Sequence, residues 1–281
     1  MLRNNDPSEK ITYSTALIKC HIADNRVSYG TGFFINLHKY EGICVTLLIT
    51  NNHVIRGSSI TELEVCEANT DNMPVDDRTV SFRFDSSLWT PHRDASVDLC
   101  CIPIAVIERY RCIEDLGKLC FICPFEIDHI PSEEQLNQLT AIEEVIMVGY
   151  PLGIFDYYNH KPIVRRGITA THPNKDYLNT KVSLLDIAAF HGSSGSPVVI
   201  LNPGSCFFSN HNPLGNRIIL LGVVYGGFDN SKKASPQVVE IPTQQSDDIN
   251  ITYYNLAAMI KAEKILDFEE MLLAGMIRTD L

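Results

Sequence analysis

The chain has 281 residues, 45% hydrophobic and 20% charged, the balance of an ordinary soluble globular protein. Its 23 Lys and Arg stand against 34 Asp and Glu, a net charge of −11 without a basic run, which excludes nucleic-acid binding through phosphates as a main role. The longest apolar run, Ile218 to Tyr225, is far short of the ~20 residues that a membrane-spanning helix needs.

Residues 1–10 are polar and are expected to form a disordered tail. Met1 to Lys19 lacks the apolar core of a secretory leader. From 11 to 128 the chain reads as short strands separated by turns, at Tyr13–Lys19, Thr31–Leu37, Val45–Thr50, Thr61–Cys66, Val80–Phe84 and Leu99–Ile104. Residues 129–140 are polar and read as a connection. Strands resume over 141–250, at Glu144–Tyr150, Pro162–Thr169, Lys181–Asp186, Pro197–Leu201 and Arg217–Tyr225. Many short strands at regular spacing predict an all-β antiparallel barrel or sandwich architecture. Phe228 to Asn250 reads as a mobile polar loop. In the last part, 251–281, Asn255 to Gly275 reads as helix, broken near Asp267. Leu256, Met259 and Ile260 fall at helical spacing, and Asp267 with Glu270 has capping-box spacing.

Nine cysteines occur, an odd number, and Cys100 and Cys101 are adjacent in a strand-like run. Free thiols in a reducing, cytoplasmic compartment are the economical reading. Cys120-Phe-Ile-Cys123 has no second pair at metal spacing, so two buried strand thiols, and no metal or other cofactor, are expected. Asn250-Ile-Thr252 forms a glycosylation triplet by chance alone.

Three segments carry chemistry. His191-Gly-Ser-Ser-Gly-Ser-Pro197 sets Ser194 between glycines, where a tight turn can expose a hydroxyl beside bare amides. Ser193 and Ser196 are its rivals. Ile49-Thr-Asn-Asn-His53 ends an apolar run, which places His53 at a strand end. Ser96-Val-Asp98 precedes another apolar run, where a carboxylate can be desolvated enough to orient an imidazole. Asp94, four residues earlier, competes with Asp98 for that place.

The order His53, Asp98, Ser194, with these surroundings, resembles the trypsin/chymotrypsin superfamily and its bacterial branch, the HtrA proteases and glutamyl endopeptidases. The likeness lies in Thr50-Asn-Asn-His53-Val, Val148-Gly-Tyr-Pro-Leu-Gly153, Asp186-Ile-Ala-Ala-Phe190, Gly192-Ser-Ser-Gly-Ser-Pro197 and Gly222-Val-Val-Tyr-Gly-Gly227, and covers residues 12 to 228. It implies two antiparallel six-stranded β-barrels with a C-terminal helix packed on the second. It further implies a serine endopeptidase with His53, Asp98 and Ser194 as catalytic residues, and an oxyanion hole from the amides of Gly192 and Ser194. Substrate binding falls by resemblance to Ala188, Phe190, Val224, Tyr225 and Gly226.

Ala188 carries no charge, and the pairing strand lacks the histidine of glutamyl endopeptidases, so the side chain before the scissile bond is expected to be small or medium and apolar. Ser193 stands where digestive proteases carry the aspartate that binds a freed N-terminus, so no clipping of that kind is expected. No PDZ domain is recognisable. The expected partner is a protein or peptide substrate, with regulation left to a partner protein. The alternative is a non-catalytic module, either holding an extended peptide against the Val223–Gly226 edge or serving as a scaffold subunit.

Overall fold

The computed structural model describes residues 6–23, 26–40, 43–202, 217–228, 238–241 and 255–279. The first sheet contains β1 (Thr15–Ile22), β2 (Val27–Tyr40), β3 (Ile43–Thr50), β4 (Ser58–Ala68), β5 (Pro74–Asp85), β6 (Thr90–Pro91), β7 (Cys100–Pro103), β8 (Leu119–Phe121) and β9 (Phe125–Glu126). The second contains β10 (Glu144–Gly149), β11 (Ile163–Thr169), β12 (Val182–Asp186), β13 (Pro197–Asn202), β14 (Arg217–Phe228), β15 (Val238–Glu240) and β16 (Leu256–Lys261).

The second sheet closes on itself. Its ring runs β13-β10-β11-β12-β16-β14 and returns to β13, six antiparallel strands as expected, with β15 added on the outer edge of β14. The first sheet differs from the expected six strands. Its path is β5-β4-β1-β2-β3-β7-β6, with β8 on β4 and β9 parallel to β2, nine strands in all. Its end strands β5 and β6 are joined by the turn Ser86–Leu88 and not by a ladder among the described residues. The additional strands span two or three residues, too few for an alternating pattern to mark them.

Alternation along β2 explains how the molecule is joined. Phe34 faces the interior of the first sheet, with Ile18, Leu48, Leu63, Phe82 and Trp89. Phe33, Ile35 and Leu37 point the other way, into a cluster shared with Val148, Val199, Leu220 and Val223 of the second sheet. A third cluster, including Met147, Leu185, Val198, Leu221 and Met259, fills the second barrel.

Four expectations need correction. Pro7–Lys10, placed in a disordered tail, form a helical turn capped by Asp6, whose carboxylate accepts from the Ser8 amide at 2.9 Å. Leu256–Lys261, expected as helix, is the strand between β12 and β14 that completes the second ring. It is almost wholly buried, and a short continuous apolar run does not distinguish strand from helix by its period. The C-terminal helix is Leu266–Leu273. Its Phe268, Met271 and Leu272 pack with Phe33, Ile35 and Leu37, over the junction of the sheets and not on the second barrel alone. Cys120 and Cys123 are half-buried, and Cys123 lies past the end of β8. Most of the loop Phe228 to Asn250, the triplet at Asn250 and Cys206 fall outside the described residues.

Asp267 lies inside the C-terminal helix, not at its cap. It accepts from Arg93 at 2.7 Å and Lys264 at 2.8 Å, and His92 Nε2 lies 2.9 Å away, which ties the helix to the first sheet. Burial raises its pKa, but the hydrogen bonds from Lys264 and Arg93 outweigh that and hold the carboxyl below its ordinary value. Its stabilisation is therefore complete above the unfolded carboxylate pKa and fades as pH falls through the folded one. Asp267→Asn should lower the melting temperature at pH 7 and flatten the acid limb of a stability-against-pH series. Parallel curves for the two proteins would contradict this.

Candidate active site

The apolar strand β3 ends at Thr50, and a single helical turn, Asn52–Ile55, follows it. His53 sits in that turn, 7% exposed. Asp98 lies two residues before buried β7, and its backbone carbonyl accepts from Asn51 Nδ2 at 2.8 Å. One carboxylate oxygen accepts from the His53 amide at 2.9 Å, and the other meets His53 Nδ1. Both oxygens are thereby committed to the histidine. His53 Nε2 lies 2.9 Å from Ser194 Oγ. The three residues singled out in the sequence thus meet as one hydrogen-bonded chain.

The rivals fall elsewhere. Asp94 is exposed and turns back on Ser96 N and Oγ. Ser193 Oγ accepts from the Phe190 amide at 3.1 Å. Ser196 Oγ is buried over Gly149, where an added Cβ would overlap it.

The serine turn is held by its carbonyls. His191 O accepts from Leu152 N, Gly192 O from Thr31 Oγ1 at 2.8 Å, and Ser194 O from Thr31 N at 2.9 Å. Gly192 and Gly195 have φ of 84° and 87°, the left-handed region that glycine enters without steric cost. With the carbonyls turned toward β2 and the loop at Leu152, the amides of Gly192 and Ser194 have no intramolecular acceptor among the described residues. Two such donors beside a hydroxyl suit an oxygen that gains charge.

Thr31, which sequence reasoning missed, is central to this clamp. Its hydroxyl donates to Gly192 O and accepts from the Tyr150 amide at 3.0 Å, and its own carbonyl accepts from Thr50 Oγ1 at 2.7 Å. Thr31→Val would strand Gly192 O and Tyr150 N in a buried site at about 1–3 kcal/mol each. We expect lower stability and at least tenfold lower turnover, with Thr31→Ser close to wild type. A valine variant with unchanged melting temperature and turnover would remove Thr31 from this role.

β14 lies beside the serine turn. Gly195 N donates to Val224 O at 2.8 Å, and Val224 N donates to Ser196 O at 2.9 Å. Val224 and Gly226 are buried and Tyr225 is half-buried. Burial, then the nearby charges of Asp98 and Glu240, push the Tyr225 phenol up to about 12, so it stays neutral beside the carboxylates. Phe190 is half-buried, with the Arg165 guanidinium 5.0 Å from its ring centre. Ala188 is half-buried as well, while its neighbours Ile187 and Ala189 belong to the cluster inside the second barrel. His53, Asp98 and Glu240 bring potential metal-ligand atoms within 4.8 Å of one another. His53 is already bonded to Asp98 and Ser194, and Glu240 to Arg56.

Comparison with known proteins agrees with this architecture. No curated protein sequence matches the chain. Among solved structures, the HtrA-type protease AlgW with tripeptide superposes with a TM-score of 0.51 at 14% identity, over 94% of this chain. The chain spans 62% of the length of that AlgW chain. Rv3671c from M. tuberculosis, in an inactive form, follows with a TM-score of 0.44 at 14% identity, over 98% of this chain and 97% of that one. The catalytically active tobacco etch virus protease complexed with product gives 0.43 at 12% identity, over 87% and 80%. The model of the trypsin-like peptidase domain matches residues 30–204, more than half of the chain and inclusive of all three residues of the hydrogen-bonded chain. With a closed six-stranded barrel, a second β-sheet and this match, the chain belongs to the trypsin-like peptidase domain family.

Proposed function

We propose that the protein is a serine endopeptidase acting on protein or peptide substrates through an acyl-enzyme. The observation that carries this reading is the continuous link Asp98–His53–Ser194 beside two amides without an acceptor among the described residues. Ser194 Oγ attacks the substrate carbonyl carbon and passes its proton to His53 Nε2, while the amides of Gly192 and Ser194 receive the oxyanion. The tetrahedral adduct collapses, the C–N bond breaks, and the amine leaves with the proton from His53. Water, deprotonated by His53, then splits the ester and restores Ser194. Asp98 holds Nδ1–H and stabilises the imidazolium.

Ala188, Phe190, Val224, Tyr225 and Gly226 are assigned to substrate binding, with a small or medium apolar side chain preferred before the scissile bond. The eight described cysteines are free thiols, which supports a reducing, cytoplasmic place of action. The alternative, a module that holds peptides without cleaving them, draws on one observation: Ser194 has no exposed surface. Labelling with a fluorophosphonate probe separates the two. Covalent labelling that Ser194→Ala and His53→Ala each abolish is the expected result. A folded protein that stays unlabelled at saturating probe, in the wild type and in variants that open the edge of β14 alike, would sink the enzyme reading.

A further inference from the structure

The edge of β14 nearest Ser194 is already occupied. β16 pairs with one side of β14, from Gly222 to Gly227, and β15 pairs with the other. The outer ladder runs Phe228 with Val238, Gly227 with Val239, and Gly226 with Glu240. It continues one residue toward the serine, where Ile241 N donates to Tyr225 O at 3.2 Å. The next residue along β14, Val224, is bonded to the serine turn itself. An extended peptide entering the cleft by strand addition would form such an antiparallel ladder on this edge.

The side chains follow the same logic. Ile241 is 1% exposed, in the apolar cluster that contains Ala189, Val224, Ala257 and Met259. Glu240, one residue earlier, points to the opposite face, as strand alternation requires. It brings a carboxylate oxygen within 4.8 Å of ligand atoms of His53 and Asp98. Both of its oxygens accept from Arg56, at 3.2 Å each, and Arg56 directly follows the turn that carries His53. Ser194, bonded to that same His53, has no exposed surface.

We propose that Val238–Ile241 is a resident pseudosubstrate that fills the acyl side of the cleft in substrate register and thereby identifies the peptide class the cleft takes. That class has a β-branched aliphatic residue before the scissile bond, preceded by an acidic residue paired with Arg56. The proposal rests on the reading of Ser194 as nucleophile and adds its substrate class and its control. In the sequence Pro242 follows Ile241. Its nitrogen carries no hydrogen and its ring fixes φ, so the bond after Ile241 is a poor one to cleave and the segment is retained. A tethered segment competes at an effective concentration on the order of millimolar. The apparent affinity for an incoming peptide falls in proportion to the fraction of molecules whose edge is open.

The test compares the full chain with Ile241→Asp and Glu240→Lys. Two rates are read: fluorophosphonate labelling of Ser194, and kcat/KM on acetyl-Val-Val-Glu-Ile-coumarinylamide and its Gln-Ile counterpart. Ile241→Asp puts a charge into an apolar pocket and should speed both rates at least tenfold. Glu240→Lys leaves the core intact, repels Arg56, and should speed them several-fold with an unchanged melting temperature. It decides the matter alone if the aspartate variant does not fold. The Glu-Ile peptide should be preferred by up to about fivefold, the scale of a partly exposed ion pair, and Arg56→Ala should erase that preference. Equal labelling of wild type and folded variants would overturn the resident segment and leave the nucleophile standing. Folded variants that never label would overturn the nucleophile itself, and the proposal with it.

Discussion

Replacing Ser194 or His53 with alanine is expected to lower turnover of a peptide substrate by about 10⁶, the scale set by other triads whose members act as a unit. Asp98→Asn is expected to cost about 10⁴. The difference has a structural origin. Ser194 supplies the electrons and His53 carries the proton, so without either the route is closed. Asp98 receives both the His53 amide and Nδ1. An asparagine there can keep the first bond, but its NH₂ would favour the wrong tautomer of the imidazole. The double variant Ser194→Ala, His53→Ala should be no slower than either single one, because each already removes the whole covalent route. Multiplying losses would mean that the two side chains act independently and that the proposed mechanism is wrong. Folding should be almost unaffected in all of them, which a melting curve checks.

The candidate site was legible where a polar residue interrupts a strong pattern. His53 and Asp98 each sit at the border of an apolar run, and Ser194 sits between glycines. A border of that kind puts a side chain on a rigid element and leaves it facing a cleft. Thr31 was not legible, because a threonine in the middle of a strand has the same sequence signature whether it clamps a loop or fills space. Its role depends on Gly192 and Ser194, which are remote in the chain. Arg56 was hidden for the same reason, since its partner Glu240 arrives from a distant strand. Strand identity failed at Leu256–Lys261, where burial on both faces erases the alternation that marks a half-exposed strand. Leu256, Met259 and Ile260 then mimic a helical face. The pocket floor shows how little separates adjacent positions. With a period of two, the barrel interior takes Ile187 and Ala189, and Ala188 turns away from that cluster.

If Val238–Ile241 closes the cleft as proposed, the buried serine and the assembled hydrogen-bond chain call for a cover that can be removed. An inert relic has no need to keep His53 within 2.9 Å of Ser194 Oγ or to leave the amides of Gly192 and Ser194 without an acceptor among the described residues. Those amides are unused donors, and their availability makes the site ready for an oxygen that arrives from elsewhere. β15, in contrast, is short and lies on the outer edge of the second sheet. Its hold combines a few ladder bonds, one buried isoleucine and an ion pair that is exposed on both sides. Removing it leaves the six-stranded ring intact. Control of access at this edge therefore needs no change in the barrel.

Gly195→Ala is expected to be the most damaging single-methyl change in the molecule outside the hydrogen-bonded chain itself. A Cβ at this position would fall well under 3.0 Å from the carbonyl oxygen of Thr31 and from Thr50 Oγ1. The backbone there has φ of 87°, where a side chain costs roughly 1–2 kcal/mol before any clash is counted. Forcing extra volume into a packed site adds about 1–3 kcal/mol. The first clash is with backbone, which cannot rotate aside as a flexible side chain would. The segment that must yield is the serine turn, and the atom it must retreat from is the carbonyl of the clamp residue Thr31. Relief requires moving Gly195 away from β2, which breaks the Thr31 N to Ser194 O bond and swings the Ser194 amide off its position. Stability should therefore fall by about 2–5 kcal/mol, the sum of the two costs, and turnover should fall by at least 10² even at temperatures where the variant is folded, the cost of losing one oxyanion donor. Gly57→Ala is the control. Its φ of 78° is nearly the same, but nothing lies within 4 Å of the added Cβ. It should lose only the backbone share, about 1–2 kcal/mol, and keep full turnover. If the two variants melt together and cleave at the same rate, the contact between the serine turn and Thr31 is not what holds the site in shape.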